Sequence, residues 1–216
     1  MNSPVLDCPV GKGALSMVTG AAGDSTGGDS TMNTSTESAR HSPAHGAGPA
    51  PFAVGAADAG LLLLRLATGV ILAGYGAQKL FGVLGGAGLD GTGKWFADIG
   101  YRPGSVYAGL AGASEFLGGI GLAIGLLTPL AAAAVVGVMI NAMSVAEKLD
   151  LWAAVGLGFP LMLAVSALTV AAVGPGSLAV DRFFPWRNGG WGAFAFALIA
   201  GGIGAAIVLA LKGSPV

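Results

Sequence analysis

Gly60-Leu61-Leu62-Leu63-Leu64-Arg65-Leu66-Ala67-Thr68-Gly69-Val70-Ile71-Leu72-Ala73-Gly74-Tyr75-Gly76-Ala77-Gln78-Lys79-Leu80-Phe81 is an apolar run whose strongest polar interruptions are Arg65, Gln78 and Lys79. About 20 helical residues cross a hydrocarbon core of about 30 Å, so this stretch, taken from about Asp58 to Gly82, has spanning length. Four further runs follow it: Tyr107 to Leu127, containing Glu115; Leu130 to Glu147; Leu151 to Val173; and Trp191 to Leu211. Backbone groups in lipid must be satisfied within the structure, and the runs lack strand alternation, so the expected fold is all-α. The prediction is a transmembrane four-helix bundle plus an additional C-terminal fifth transmembrane helix.

Composition agrees. Of 216 residues, 54% are hydrophobic and only 10% charged, which excludes a soluble enzyme, and 39 glycines suit helices that approach closely in lipid. A net charge of -1 leaves no basic surface for nucleic acid. The single cysteine supplies no disulfide or CxxC pair. Both histidines, His41 and His45, precede the first run, so no span offers haem an imidazole, and no cluster has metal-ligand spacing.

Three regions are expected. Residues 1–57, rich in Gly, Ser, Thr and Pro, read as a disordered tail. Residues 58–176 form the membrane bundle, and residues 177–216 an interfacial loop and the fifth span. The short Leu127-Thr128-Pro129 connection predicts an antiparallel hairpin of the second and third runs. Phe159-Pro160 predicts a kink in the fourth. Gly85 to Pro103 reads as the one long internal loop, glycines such as Gly85-Gly86-Ala87-Gly88 being loop glycine, with a short interfacial helix from Lys94 to Ile99 carrying Trp95 and Phe96.

An ionisable group within a span costs about 2.5–3.5 kcal/mol to insert, so it demands a partner or a wet cavity. Arg65 and Glu115 are the two deepest. Glu115 lies on a face of Ala108, Ala111, Gly112, Gly118 and Gly119, which places it at a helix contact. Two cations compete for it. Helical side chains lean toward their own N-termini, which moves Arg65 and Glu115 apart and aims Lys79 inward. The pair either fixes helix register or lets the carboxylate relay a proton. Asn141, Ser144 and Lys148 share a face of the third run, where interhelical hydrogen bonding accounts for the first two. Trp95 and Tyr101, with Asn141, are the candidates for holding a quinone ring, against a competing use of the aromatics as interfacial anchors.

Arg65-Leu66 with Gly69, then Gly76 and Gln78-Lys79-Leu80-Phe81, then Gly85-Gly86, Gly88-Leu89 and Gly91-Thr92, resemble the first half of the DoxX family of bacterial membrane proteins. Glu115-Phe116-Leu117-Gly118-Gly119 and Gly125-Leu126-Leu127-Thr128 resemble its second-helix pattern, and the likeness covers about Leu61 to Val173. It implies a multi-pass four-helix bundle in the bacterial plasma membrane, in a family named for a thiosulfate:quinone oxidoreductase subunit. By that likeness Arg65, Lys79 and Glu115 are the candidate catalytic residues. None is a redox group, so electrons require a bound quinone or the cofactor of a protein partner handling thiol or oxidative stress. The alternative is a non-catalytic membrane scaffold or small-solute carrier, in which the same charges set register or line a path.

Overall fold

A computed structural model describes residues 55–146, 151, 156–184 and 189–213. Residues 1–54 of the expected tail and the Glu147, Lys148, Asp150 charge cluster lie outside the described residues; Ala56 and Ala57, expected in that tail, instead open the first helix. Among the described residues six α-helices follow in order: α1 (Ala56–Phe81), α2 (Gly88–Asp98), α3 (Gly104–Ile124), α4 (Thr128–Ser144), α5 (Gly158–Val173) and α6 (Trp191–Ala210), with a 3-10 turn at Val180–Phe183 before α6. No strand occurs among the described residues. The fold is the expected all-helical membrane bundle.

Helices α1, α3 and α6 are long and apolar enough to cross a membrane. Helices α4 and α5 are shorter, at 17 and 16 residues, or about 26 and 24 Å at the helical rise. The fourth run therefore yields a helix from Gly158, not Leu151. Pro160 causes no mid-helix kink, because it sits in the first turn of α5, where a missing N–H has no intrahelical acceptor to lose.

The glycine-rich connection is also corrected: α2 begins at Gly88 and takes in Gly91 and Gly93. These residues serve packing as well as turning. A Cβ on Gly93 would lie 3.1 Å from the backbone of Ser105, so glycine lets α2 rest on the start of α3.

Helix α1 packs on α3, α3 on α4, α4 on α5, and α5 returns to α1; α6 lies against α4 and α5. Leu72, Leu122, Val135, Met139, Leu163, Ala167 and Val170 fill the centre, while Leu63, Val70, Leu117, Met162 and Ile203 face outward as a lipid-facing surface would. Gly69 and Gly76 of α1 meet Gly119 and Gly112 of α3 at a seven-residue spacing on each helix. This is the small-residue interface that lets backbones touch when lipid removes any hydrophobic drive between helices. Gly137 of α4 and Gly201 of α6 make a second such contact.

The first contact gives a paired prediction. A Cβ at Gly119 would stand 2.6 Å from both Ala73 N and Gly69 O, whereas one at Gly60 meets nothing within 4 Å. Gly119→Ala should therefore destabilise by about 1–3 kcal/mol through overpacking. Gly60→Ala, the same chemical change, should stabilise by about 0.5–1 kcal/mol. Thermal unfolding of both variants in one detergent checks the opposite signs.

Candidate functional site

Glu115 lies midway along α3 and is 4% exposed. Its Oε2 meets Lys79 Nζ at 2.5 Å, the Lys79 side chain being 24% exposed. The pairing follows from the helices: Lys79, in the last turn of α1, leans back toward the body of the bundle. Glycine at 112 leaves it a passage, since a Cβ there would come within 3.2 Å of Lys79 Cβ. Lys79 Nζ also lies 5.5 Å from the Tyr75 ring centroid. Between the two competing cations, Glu115 takes Lys79.

Arg65 lies elsewhere. It is 1% exposed and donates from Nε to Leu122 O at 3.1 Å, from Nη1 to Pro175 O, and from Nη2 to Ala123 O at 3.1 Å and Leu178 O at 3.4 Å. The last carbonyls of a helix have no intrahelical donor. Arg65 supplies donors to those of α3 and adds a positive charge where the helix dipole favours one. Asp181 does the converse, accepting from Leu127 N at 2.8 Å and Thr128 N at 2.7 Å and so capping α4. The α3–α4 turn is thus held by two charges from outside the hairpin. Sequence reasoning missed Asp181: the turn lies more than fifty positions earlier, and no local capping pattern marks the contact.

Tyr101, 2% exposed, donates its hydroxyl to Asn141 Oδ1 at 3.4 Å. Its ring is 5.3 Å from that of Phe96 and 5.4 Å from that of Tyr107, with Lys212 Nζ 5.0 Å from its centroid. Asn141 Nδ2 donates to Gly137 O at 3.0 Å. Ser144, expected to bond between helices, instead donates to Asn141 O of its own helix at 2.6 Å, as its short side chain reaches back one turn.

One cavity of about 740 Å³ joins these groups, lined by Lys79, Glu115, Trp95, Tyr101 and Asn141. Arg65 is not among its lining residues. Most of the remaining wall is apolar or aromatic, including Tyr75, Tyr107 and Phe159. The volume falls within the roughly 300–1,000 Å³ of small-molecule sites, and a mainly apolar wall with a few convergent polar groups is their usual chemistry. Helix α6 supplies part of that wall through Ala200, Gly201 and Gly204, a contribution no motif in the sequence announces.

The DoxX family model matches residues 60–148, which takes in α1 to α4 and stops before α5. Neither the curated proteins nor the solved structures contain a match.

Proposed function

We propose that this chain, an all-helical membrane protein whose residues 60–148 match the DoxX family model, serves as the multi-pass subunit of a quinone-linked redox complex in the bacterial plasma membrane, binding the quinone in the cavity between its helices. The observation that carries this reading is the convergence of Lys79, Glu115, Trp95, Tyr101 and Asn141 on one cavity. The Lys79 ammonium and the second N–H of the Asn141 amide offer donors suited to ring carbonyls, the Tyr101 hydroxyl holds that amide in place, and the aromatic wall suits a flat ring. These residues fit the group. A bound quinone supplies two-electron, two-proton chemistry that no side chain here supplies.

The chain's own part is positioning and proton handling. Glu115, shielded from water, holds or releases a proton at Oε2, and Lys79 balances the carboxylate charge. Tyr101, fixed between Phe96, Tyr107 and Lys212, keeps its hydroxyl at the cavity wall. Electrons arrive from the cofactor of a partner protein.

Native mass spectrometry of the gently solubilised complex tests the composition, with a quinone and a redox-active partner expected together. Glu115→Gln removes the titratable group while keeping its shape and should lower substrate-dependent quinone reduction by about 10²–10⁴-fold, the usual contribution of a positioned acid or base. Unaltered turnover in a folded Glu115→Gln complex overturns the proton role, leaving the pair as a device for helix register.

A further inference from the structure

Lys79 has an alternative to its ion pair. It stands in the last turn of α1 with its side chain 24% exposed, and a lysine so placed lays its stem along apolar surface and carries its ammonium out to water. Yet its Nζ points inward, 2.5 Å from Glu115 Oε2. An ammonium carries three donors, and among the described residues Glu115 is the one hydrogen-bond acceptor that Lys79 meets. The other inward hold is a ring face. Tyr75 lies four residues earlier on α1, so the N-terminal lean of helical side chains carries Lys79 over it. Nζ stands 5.5 Å from the ring centroid, inside the roughly 6 Å reach of a cation–π contact.

That ring is in turn met from another helix. Phe159, in the first turn of α5, packs against Tyr75 edge to face, with centroids 5.7 Å apart and planes at 62°. Tyr75 and Phe159 are each nearly half exposed, so no close-packed core encloses either ring, and the contact between them orients both. Both line the cavity beside Lys79 and Glu115. Resting on the quinone reading above, we infer that Tyr75, backed by Phe159, is a positioning residue, whose ring face holds the Lys79 ammonium inward on Glu115 against an outward position at the membrane surface. Lys79 is then a cation with two positions. Inward, it balances the carboxylate and keeps donors free for a ring carbonyl; outward, it leaves Glu115 alone in the cavity wall. The aromatic pair gives α5, which lies beyond the matched residues 60–148, a hold on that choice.

The test reads where Lys79 sits. The full chain in detergent is acetylated with a charged, membrane-impermeant succinimidyl ester, and mass spectrometry scores Lys79 against the exposed Lys94 of the same molecule. An inward, paired amine reacts slowly, and Glu115→Gln, which removes the inward partner, marks the outward rate. Tyr75→Leu should raise the relative acetylation of Lys79 about two- to fivefold, the weight of a partly exposed cation–π contact. Phe159→Leu should raise it less, and Tyr75→Phe, which keeps the ring face, should restore the wild-type value. Substrate-dependent quinone reduction by the assembled complex should fall in Tyr75→Leu by a similar factor and recover in Tyr75→Phe. Acetylation that Tyr75→Leu leaves unchanged, or that Tyr75→Phe raises as far, overturns the holding role whatever turnover does. A wild-type value in Phe159→Leu overturns the backing by α5. Full turnover in Tyr75→Leu with Lys79 turned outward removes Lys79 from the reaction, and the positioning role with it. The expected acetylation series in a complex whose wild type reduces no quinone supports the hold on Lys79 and overturns the quinone reading.

Discussion

Arg65→Met is expected to unfold a large share of the protein at temperatures where wild type is intact, with a loss above about 3 kcal/mol. Four carbonyls, those of Leu122, Ala123, Pro175 and Leu178, lose their guanidinium donor; Leu122 O keeps the Gly125 N–H at 3.2 Å, and each other buried acceptor left bare costs about 1–3 kcal/mol. Asp181, whose charge attracts Arg65, loses that partner as well. Arg65→Lys should recover less than half of the loss, because a single ammonium cannot reproduce a planar fork spread over carbonyls from two segments. Thermal unfolding in detergent, read by helical circular dichroism, checks the order wild type, Lys, Met. An Arg65→Met protein that melts like wild type yet loses quinone reduction would return Arg65 to the catalytic group and remove the structural role assigned here.

The second large effect lies at the Lys79–Glu115 pair, and its signature is asymmetry. Lys79→Met strands the Glu115 carboxylate in the bundle. Breaking a fully buried pair in this way costs about 3–5 kcal/mol, and partial exposure of Lys79 reduces the expectation to about 2–4 kcal/mol. Glu115→Gln should cost about 1 kcal/mol or less, because Lys79, near the end of α1, can extend its ammonium toward the interface. Combining the two substitutions should restore most of what Lys79→Met loses, giving a coupling of about 1–3 kcal/mol in a double-mutant cycle. Additive effects would mean that the two charges act independently, against their 2.5 Å separation.

Much of the fold was legible because lipid imposes a coarse rule. Apolar length alone located α1, α3 and α6, and the Leu127-Thr128-Pro129 connection announced the α3–α4 hairpin. Boundaries around proline and glycine were less legible. Pro160 is compatible with a kink or a first turn, and only the neighbouring chain decides; Gly88 to Gly93 were read as loop because their reason for being glycine is the adjacent start of α3. At the candidate site, side-chain lean favoured Lys79 as the partner of Glu115, a geometric argument available from helix direction alone. The α6 wall and the Asp181 cap were not legible, since both are meetings between segments far apart in sequence with no local pattern to mark them.

The external capping of the α3–α4 turn bears on how the chain is made. Asp181 follows Thr128 by 53 positions, so at about 5–20 residues per second a ribosome takes roughly 3 to 10 seconds to deliver it after the turn has been synthesised. During that interval the amides of Leu127 and Thr128 have only water or lipid headgroups as acceptors, although Arg65, already translated, is at hand for the carbonyls of α3. Nascent chains halted before Asp181 would carry a hairpin finished on one flank and open on the other, a form that quality-control proteases can tell apart from the completed product.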